Sequence, residues 1–433
     1  MNKKAQDVGS ATPVDANRSS PSWQPPPRPE WVTRVNEEGA CMDISGVVPL
    51  DERSLIASAT AACGLTDFGA EDWREPFRVL LKALDEEAEL NLMGRLRMRS
   101  ELLLLLEARL RIEDTYKRHP EIEQEKIVEP IIIIGQGRSG TSFLQNVLAA
   151  NPDSAGLSQW EAMFPCPPPE QATYKTDPRI AKADALIKQW NRVTPSMTAV
   201  HEFGGTVPIE DCEILSINFM SPSWFGCFAQ VRSYDAYMAS CDPMLVLRYH
   251  ERVLKLLQWR NPREHWVLKE IPHLDRLEPL LRIYPDACFV WPHRDPVKAL
   301  ASGISAIGTL QWTGCDHVFK GGSLEWISNP FLSAARFNRV IDQIESGVVP
   351  RERIFHMLYR DLVRDPMATL EALYRHFGLR LSDVGRRGMA QYLADNPRDA
   401  RPSHKVSMSA EDIARAREAY DRYQRYFDVP SEV

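Results

Sequence analysis

Apolar and polar positions change period as the chain proceeds. From about residue 51 to residue 119 the apolar positions fall at helical spacing. The stretch "DEEAELNLMGRLRMRSELLLLLEARLRIEDTYKRH" (85–119) keeps that spacing up to Pro120, which predicts helix stopping at the proline. From Ile127 onward the texture becomes short apolar runs separated by helical segments. The runs at 131–134, 265–268, 288–291 and 354–359 are predicted strands of a parallel sheet. Helix starts between them share one device: Asp242-Pro243, Asp295-Pro296 and Asp365-Pro366 each set a capping carboxylate before a first-turn proline. Gly378, after "LEALYRHF", is the matching helix stop. Residues 1–30 are rich in Ser, Pro and Asn and read as a flexible, polyproline-like leader. The expected organisation is that leader, a helical region over 31–125, and an α/β domain over 126–433. An open sheet of this kind binds ligands at the carboxyl ends of its strands.

Composition narrows the function. Of 433 residues, 44% are hydrophobic and 26% charged, an ordinary globular balance. A net charge of −7 argues against a general nucleic-acid binder, yet leaves room for a local basic pocket. The eight cysteines form no C-x-x-C pair and no Cys/His cluster, so free thiols in a reducing compartment are expected and zinc is not. No signal-peptide pattern is present, and "ELLLLLEARL" is too short and too charged at its edges to span a bilayer. A cytoplasmic protein without an integral membrane segment is the expectation.

Three stretches carry candidate chemistry. In "PIIIIGQGRSGTSFLQNVL" (130–148) a strand runs into a glycine-rich turn that opens a helix, an arrangement that presents backbone N–H groups to an anion. Gly135 to Gly140 fits G-x4-G, and Ser142 stands where a P-loop keeps Ser or Thr. Thr141, however, occupies the lysine position. Gly137 and Gly140 let the backbone wrap the ligand, Arg138 brings a charged fork, and Ser139, Thr141 and Ser142 bring hydroxyls. In "ACFVWPHRDPVKALASG" (287–303) a strand delivers His293 and Arg294, and the following helix carries Ser302, a set suited to a phosphate monoester. The plainer alternative pairs Arg294 with Asp295 as cap architecture. In "HWVLKEIPHLDRLEPLL" (265–281) Lys269 ends a strand, Pro272 turns the chain and His273 opens a helix, placing a cation near a proton acceptor.

Together these segments resemble the sulfotransferases that use 3′-phosphoadenosine 5′-phosphosulfate (PAPS), in particular the broad bacterial group. "GQGRSGTS" is similar to the 5′-phosphosulfate loop, with Arg138 where many members have lysine. "VWPHRDPVKALAS" resembles the 3′-phosphate motif, which implies that Arg294 and Ser302 hold that phosphate. "LKEIPHL" resembles the Lys/His segment, which implies catalytic roles for Lys269 and His273. "MLYRDLVRDPMATLEALYRHFGL" (357–379) implies Tyr359 beside the adenine, and the tail 401–427 implies contacts from residues such as His404 and Lys405. "LSQWEAMFP" (157–165) is similar to a segment with an acidic residue near the acceptor, so Glu161 competes with His273 as base. The resemblance spans 127–427. It implies PAPS as co-substrate, no metal, and transfer to a hydroxyl or amine of a small-molecule, lipid or glycan acceptor. Because a sulfuryl group carries less charge than a γ-phosphate, arginine, hydroxyls and backbone N–H groups suffice without a metal clamp. The rival readings are a small-molecule kinase using ATP with Mg²⁺, and a nucleotide-binding module without activity. The aromatic-rich stretch 219–238 reads equally as acceptor-pocket wall and as core.

Overall fold

The computed structural model describes residues 23–319, 325–397 and 408–433. Five parallel strands form one sheet in the order β2-β3-β1-β4-β5: β1 Ile131–Ile133, β2 Ser154–Gly156, β3 His265–Lys269, β4 Cys288–His293 and β5 Ile354–Leu358. Four of these are the predicted strands, with ends shifted by a residue or two. The fifth, β2, has no apolar run to announce it and pairs through Ser154 and Gly156 at the sheet edge.

Side-chain alternation along the strands splits the core. Ile132, Leu268 and Phe289 face one side, while Ile131, Ile133, Val267 and Val290 face the other. Burial on both faces is why β1 reads as an unbroken isoleucine run. The N-terminal helices share the first core: Trp73, Phe77 and Leu102 belong to the same cluster as Leu268 and Trp291. The long helical pattern of 85–119 resolves into Arg74–Glu86 and Leu92–Arg118, with Asn91 accepting from the Gly94 N–H at 2.9 Å to start the second helix. The Asp-Pro starts form as expected. Asp242, Asp295 and Asp365 accept from Met244, Val297 and Ala368 N–H groups at 2.9, 3.0 and 3.0 Å. Gly378 closes its helix in the left-handed region, at φ 70°.

Among the described residues no helix is long and apolar enough to cross a membrane. All eight cysteines are free thiols. The leader to residue 22 and the segment holding His404 and Lys405 lie outside the described residues.

Candidate active site

At the carboxyl end of β1 the chain enters the turn 134–140 and then the helix Thr141–Ala149. Two glycines are obligatory here for geometric reasons. Gly140 has φ 90°, and a Cβ there would sit 2.7 Å from the Tyr359 ring; Gly135 has φ 117°, and its Cβ would meet Trp291 at 2.5 Å. Arg138 itself adopts φ 70°, a conformation that costs a non-glycine residue roughly 1 kcal/mol or more and that recurs at ligand sites. The turn aims its guanidinium away from the loop. Nε donates to Ser302 Oγ at 2.9 Å and Nη1 to the Val200 carbonyl at 3.1 Å. Burial and the nearby charge of Arg294 lower the Arg138 pKa.

Arg294, at the end of β4, donates through Nη1 to the Arg138 carbonyl at 3.0 Å and lies 4.5 Å over the Tyr359 ring. The loop after β1 and the motif after β4 are therefore one unit. They line a cavity of about 490 Å³, a size typical of ligand sites. Gly137, Arg138, Gly140, Thr141 and Ser142 border it from the loop, joined by Arg294, Ser302 and Tyr359, which touch that loop. Ser139 does not. Its hydroxyl is buried and donates to the Gln136 carbonyl at 2.6 Å, bracing the loop from behind.

The Arg294 fork has a partner other than the one expected. It holds Glu432 in a bidentate pair at 2.9 and 3.0 Å, while Asp295 pairs with Arg417 at 2.6 and 2.7 Å. The tail helix Ala410–Tyr426 thus docks on the cap of the helix Pro296–Trp312.

Lys269, at the end of β3, donates from Nζ to Ser142 Oγ at 2.9 Å and pairs at 2.9 Å with Glu210, which lines the cavity. Lys269 thus stands next to the glycine-rich loop. The two expected bases do not reach the cavity. His273 is fully buried; its Nε2 lies 3.0 Å from Asp211 Oδ2 and its Nδ1 3.4 Å from Glu270 Oε2. The turn at Pro272 points the imidazole inward rather than beside Lys269. Glu161 is likewise inaccessible. It completes a capping box with Ser158, accepts from Tyr174 at 2.8 Å and pairs with Arg263, so it is neither a surface carboxylate nor an acceptor-side base.

Four residues at or directly behind the cavity were not anticipated: Glu210, Asp211, His250 and His201. Glu210 lies in "VPIEDCEIL", whose acid pair preceding an apolar run was the available signal. Its neighbour Asp211 accepts from the Lys269 N–H at 3.2 Å and sits between His273 and His250. Burial would raise the Asp211 carboxyl, but the two imidazoles overrule it and hold its pKa well below the usual range. Among the described residues, Asp211, His250 and His273 form a group whose donor atoms lie within 4.8 Å of one another, a spacing that would also suit a metal ion. His201 also lines the cavity. Burial and the charge of Lys269 push its pKa down to about 4, so it is neutral at pH 7. The aromatic stretch divides: Trp224 and Phe228 line the cavity, whereas Phe219 and Tyr234 are core.

A parallel sheet with a glycine-rich anion loop, two converging arginines and a strand-end lysine defines a P-loop-like group-transfer fold. The chain belongs to the sulfotransferase family, whose model matches residues 130–383. It is 29% identical to the sulfotransferase STF1 of Mycobacterium tuberculosis, whose crystal structure superposes with a TM-score of 0.69 over 86% of this chain and 98% of that one. The sulfotransferase STF9 of Mycobacterium avium, at 23% identity, has a TM-score of 0.72 over 88% of this chain and 97% of its own. A curated relative, the omega-hydroxy-beta-dihydromenaquinone-9 sulfotransferase Stf3 of Mycobacterium bovis, is 22% identical over 303 residues, covering 68% of this chain and 74% of the relative.

Proposed function

We propose that the protein moves the sulfuryl group of PAPS to an acceptor hydroxyl and releases 3′,5′-ADP. The observation that carries this reading is the junction of the two anion motifs. Arg138 of the loop bonds Ser302 at 2.9 Å while Arg294 bonds the Arg138 carbonyl at 3.0 Å. A ligand with charged groups at two ends of one nucleotide would engage both at once. The phosphosulfate lies along Gly137 to Ser142, at the N-terminus of the helix Thr141–Ala149, where the dipole favours negative charge. Arg294 and Ser302 take the 3′-phosphate, with Tyr359 beside the adenine.

In the reaction the acceptor oxygen forms a bond to sulfur as the bond from sulfur to the bridging oxygen breaks. The 5′-phosphate leaves with the electron pair, and Lys269, already 2.9 Å from Ser142 of the loop, stabilises it. The hydroxyl proton passes to Glu210, the cavity carboxylate held 2.9 Å from that lysine. A second candidate for the proton is His201, because its buried Nδ1 has no hydrogen-bond partner among the described residues and its ring is neutral. No metal is needed for these steps.

Calorimetry in EDTA tests the donor assignment. The protein should bind 3′,5′-ADP at least tenfold more tightly than 5′-AMP, a preference lost in Arg294→Ala. Equal affinities, or ATP binding that requires Mg²⁺, would favour the kinase reading.

A further inference from the structure

The cavity has a chemical gradient along one helix. In Pro296–Trp312, the cavity face beyond the polar corner made by Ser302 and Arg138 is Gly303, Ala306, Ile307 and Leu310, with Ala299 and Leu300 just before that corner. At 1.5 Å per residue, Ser302 to Leu310 spans about 12 Å without a polar side chain on that face. The opposite wall is the helix Pro222–Phe228, tied to the first by Gln311 Nε2 donating to the Gly226 carbonyl at 2.9 Å.

The polar atoms of that wall are engaged by the protein itself. Trp224 Nε1 donates to Glu101 at 3.1 Å and Ser223 Oγ to Glu270 at 2.6 Å. Burial pushes the Cys227 thiol up to about 12, so it remains an un-ionised, weakly polar surface. A carbohydrate placed between these two helices would lose its water and find too few free partners for its hydroxyls, the costly outcome for a buried polar group. A hydrocarbon would lose only unfavourable hydration.

We propose that the acceptor is an alcohol with an elongated hydrocarbon body and its hydroxyl at one end. The body lies between the helices Pro222–Phe228 and Pro296–Trp312, and the hydroxyl meets Glu210 and Lys269 at the loop. This rests on the sulfuryl-transfer reading and fixes its substrate class as apolar rather than glycan.

The test is a series of primary alkanols of increasing chain length, with hexoses for comparison, assayed with PAPS. Direct calorimetric titration of the same alkanols into donor-free protein runs alongside. Each added methylene should raise kcat/KM about two- to fourfold until the chain outgrows the roughly 12 Å apolar stretch. Affinity without donor should rise in step. Ala306→Phe should move the optimum to shorter alcohols and leave 3′,5′-ADP affinity unchanged. A flat length dependence in both assays, or preferred turnover of hexoses, overturns the inference while the donor reading stands. Length-dependent alkanol binding without any 3′,5′-ADP binding or transfer leaves the apolar channel intact and overturns the sulfuryl-transfer reading.

Discussion

At the scale of single residues, the division of labour between Glu210 and His273 is the sharpest consequence of the geometry. Glu210 pairs with Lys269 directly and His273 reaches it through Asp211, but only Glu210 opens onto the cavity. Glu210→Gln should lower kcat by roughly 10²–10⁴ while 3′,5′-ADP affinity stays near normal, since the carboxylate acts on the acceptor proton. His273→Ala should instead cost about 2–4 kcal/mol of stability in a denaturant titration, because it strips a partner from the buried Asp211 carboxylate. His273→Gln, whose amide can reach Asp211, should keep transfer activity. If His273→Gln loses transfer as Glu210→Gln is expected to, and Glu210→Gln does not, the proton roles revert to the sequence-based expectation. Arg138→Ala removes a charge-assisted contact of about 1.5–3 kcal/mol, visible as weaker 3′,5′-ADP binding in calorimetry.

At the scale of elements, the tail and the loop after β1 share one guanidinium: Arg294 Nη1 donates to the Arg138 carbonyl while Nε and Nη2 hold Glu432. Glu432 accepts both forks of Arg294 at 2.9 and 3.0 Å and lies 3.4 Å from Lys298, as a phosphate would. Glu432→Gln should therefore tighten 3′,5′-ADP binding severalfold, whereas an unchanged affinity would mean that nucleotide and tail share Arg294 without conflict. This contact shows where sequence reading stops. Strands with β-branched runs, Asp-Pro caps and the loop at Gly135–Gly140 are local signals, and all were legible. The partner of Arg294 lies 138 residues away, and the Asp211–His273 contact spans 62, so neither leaves a periodic trace. For the same reason Pro272 foretold a turn but not which way His273 would point. Strand β2 escaped because three small residues at an edge carry no apolar pattern.

At the scale of the whole molecule, three histidines among the described residues are folded into environments that disfavour their charge. Burial lowers His201 and His356 to about 4, with Lys269 and His376 adding repulsion respectively, and drives His293 well below its ordinary 6.5. A histidine with a depressed native pKa binds fewer protons folded than unfolded, so stability is full above about 6.5 and is lost as pH falls from there towards 4. Denaturant titrations at pH 7, 5.5 and 4.5 should show a declining midpoint; His293 and His356, stacked at 5.2 Å beneath the docked tail, are in the region expected to loosen first. The N-terminal helices contribute to the same molecule-wide design, because Glu101 holds Trp224 in the cavity wall. Transfer of a sulfuryl group from PAPS is tested most directly by mass spectrometry of purified protein incubated in EDTA with PAPS and a long-chain primary alcohol. Such transfer yields an alcohol product heavier by one sulfonate, formed in equal amount with 3′,5′-ADP and abolished by Lys269→Ala. Nucleotide binding with no sulfonated product from any apolar alcohol, sugar or amine would contradict it.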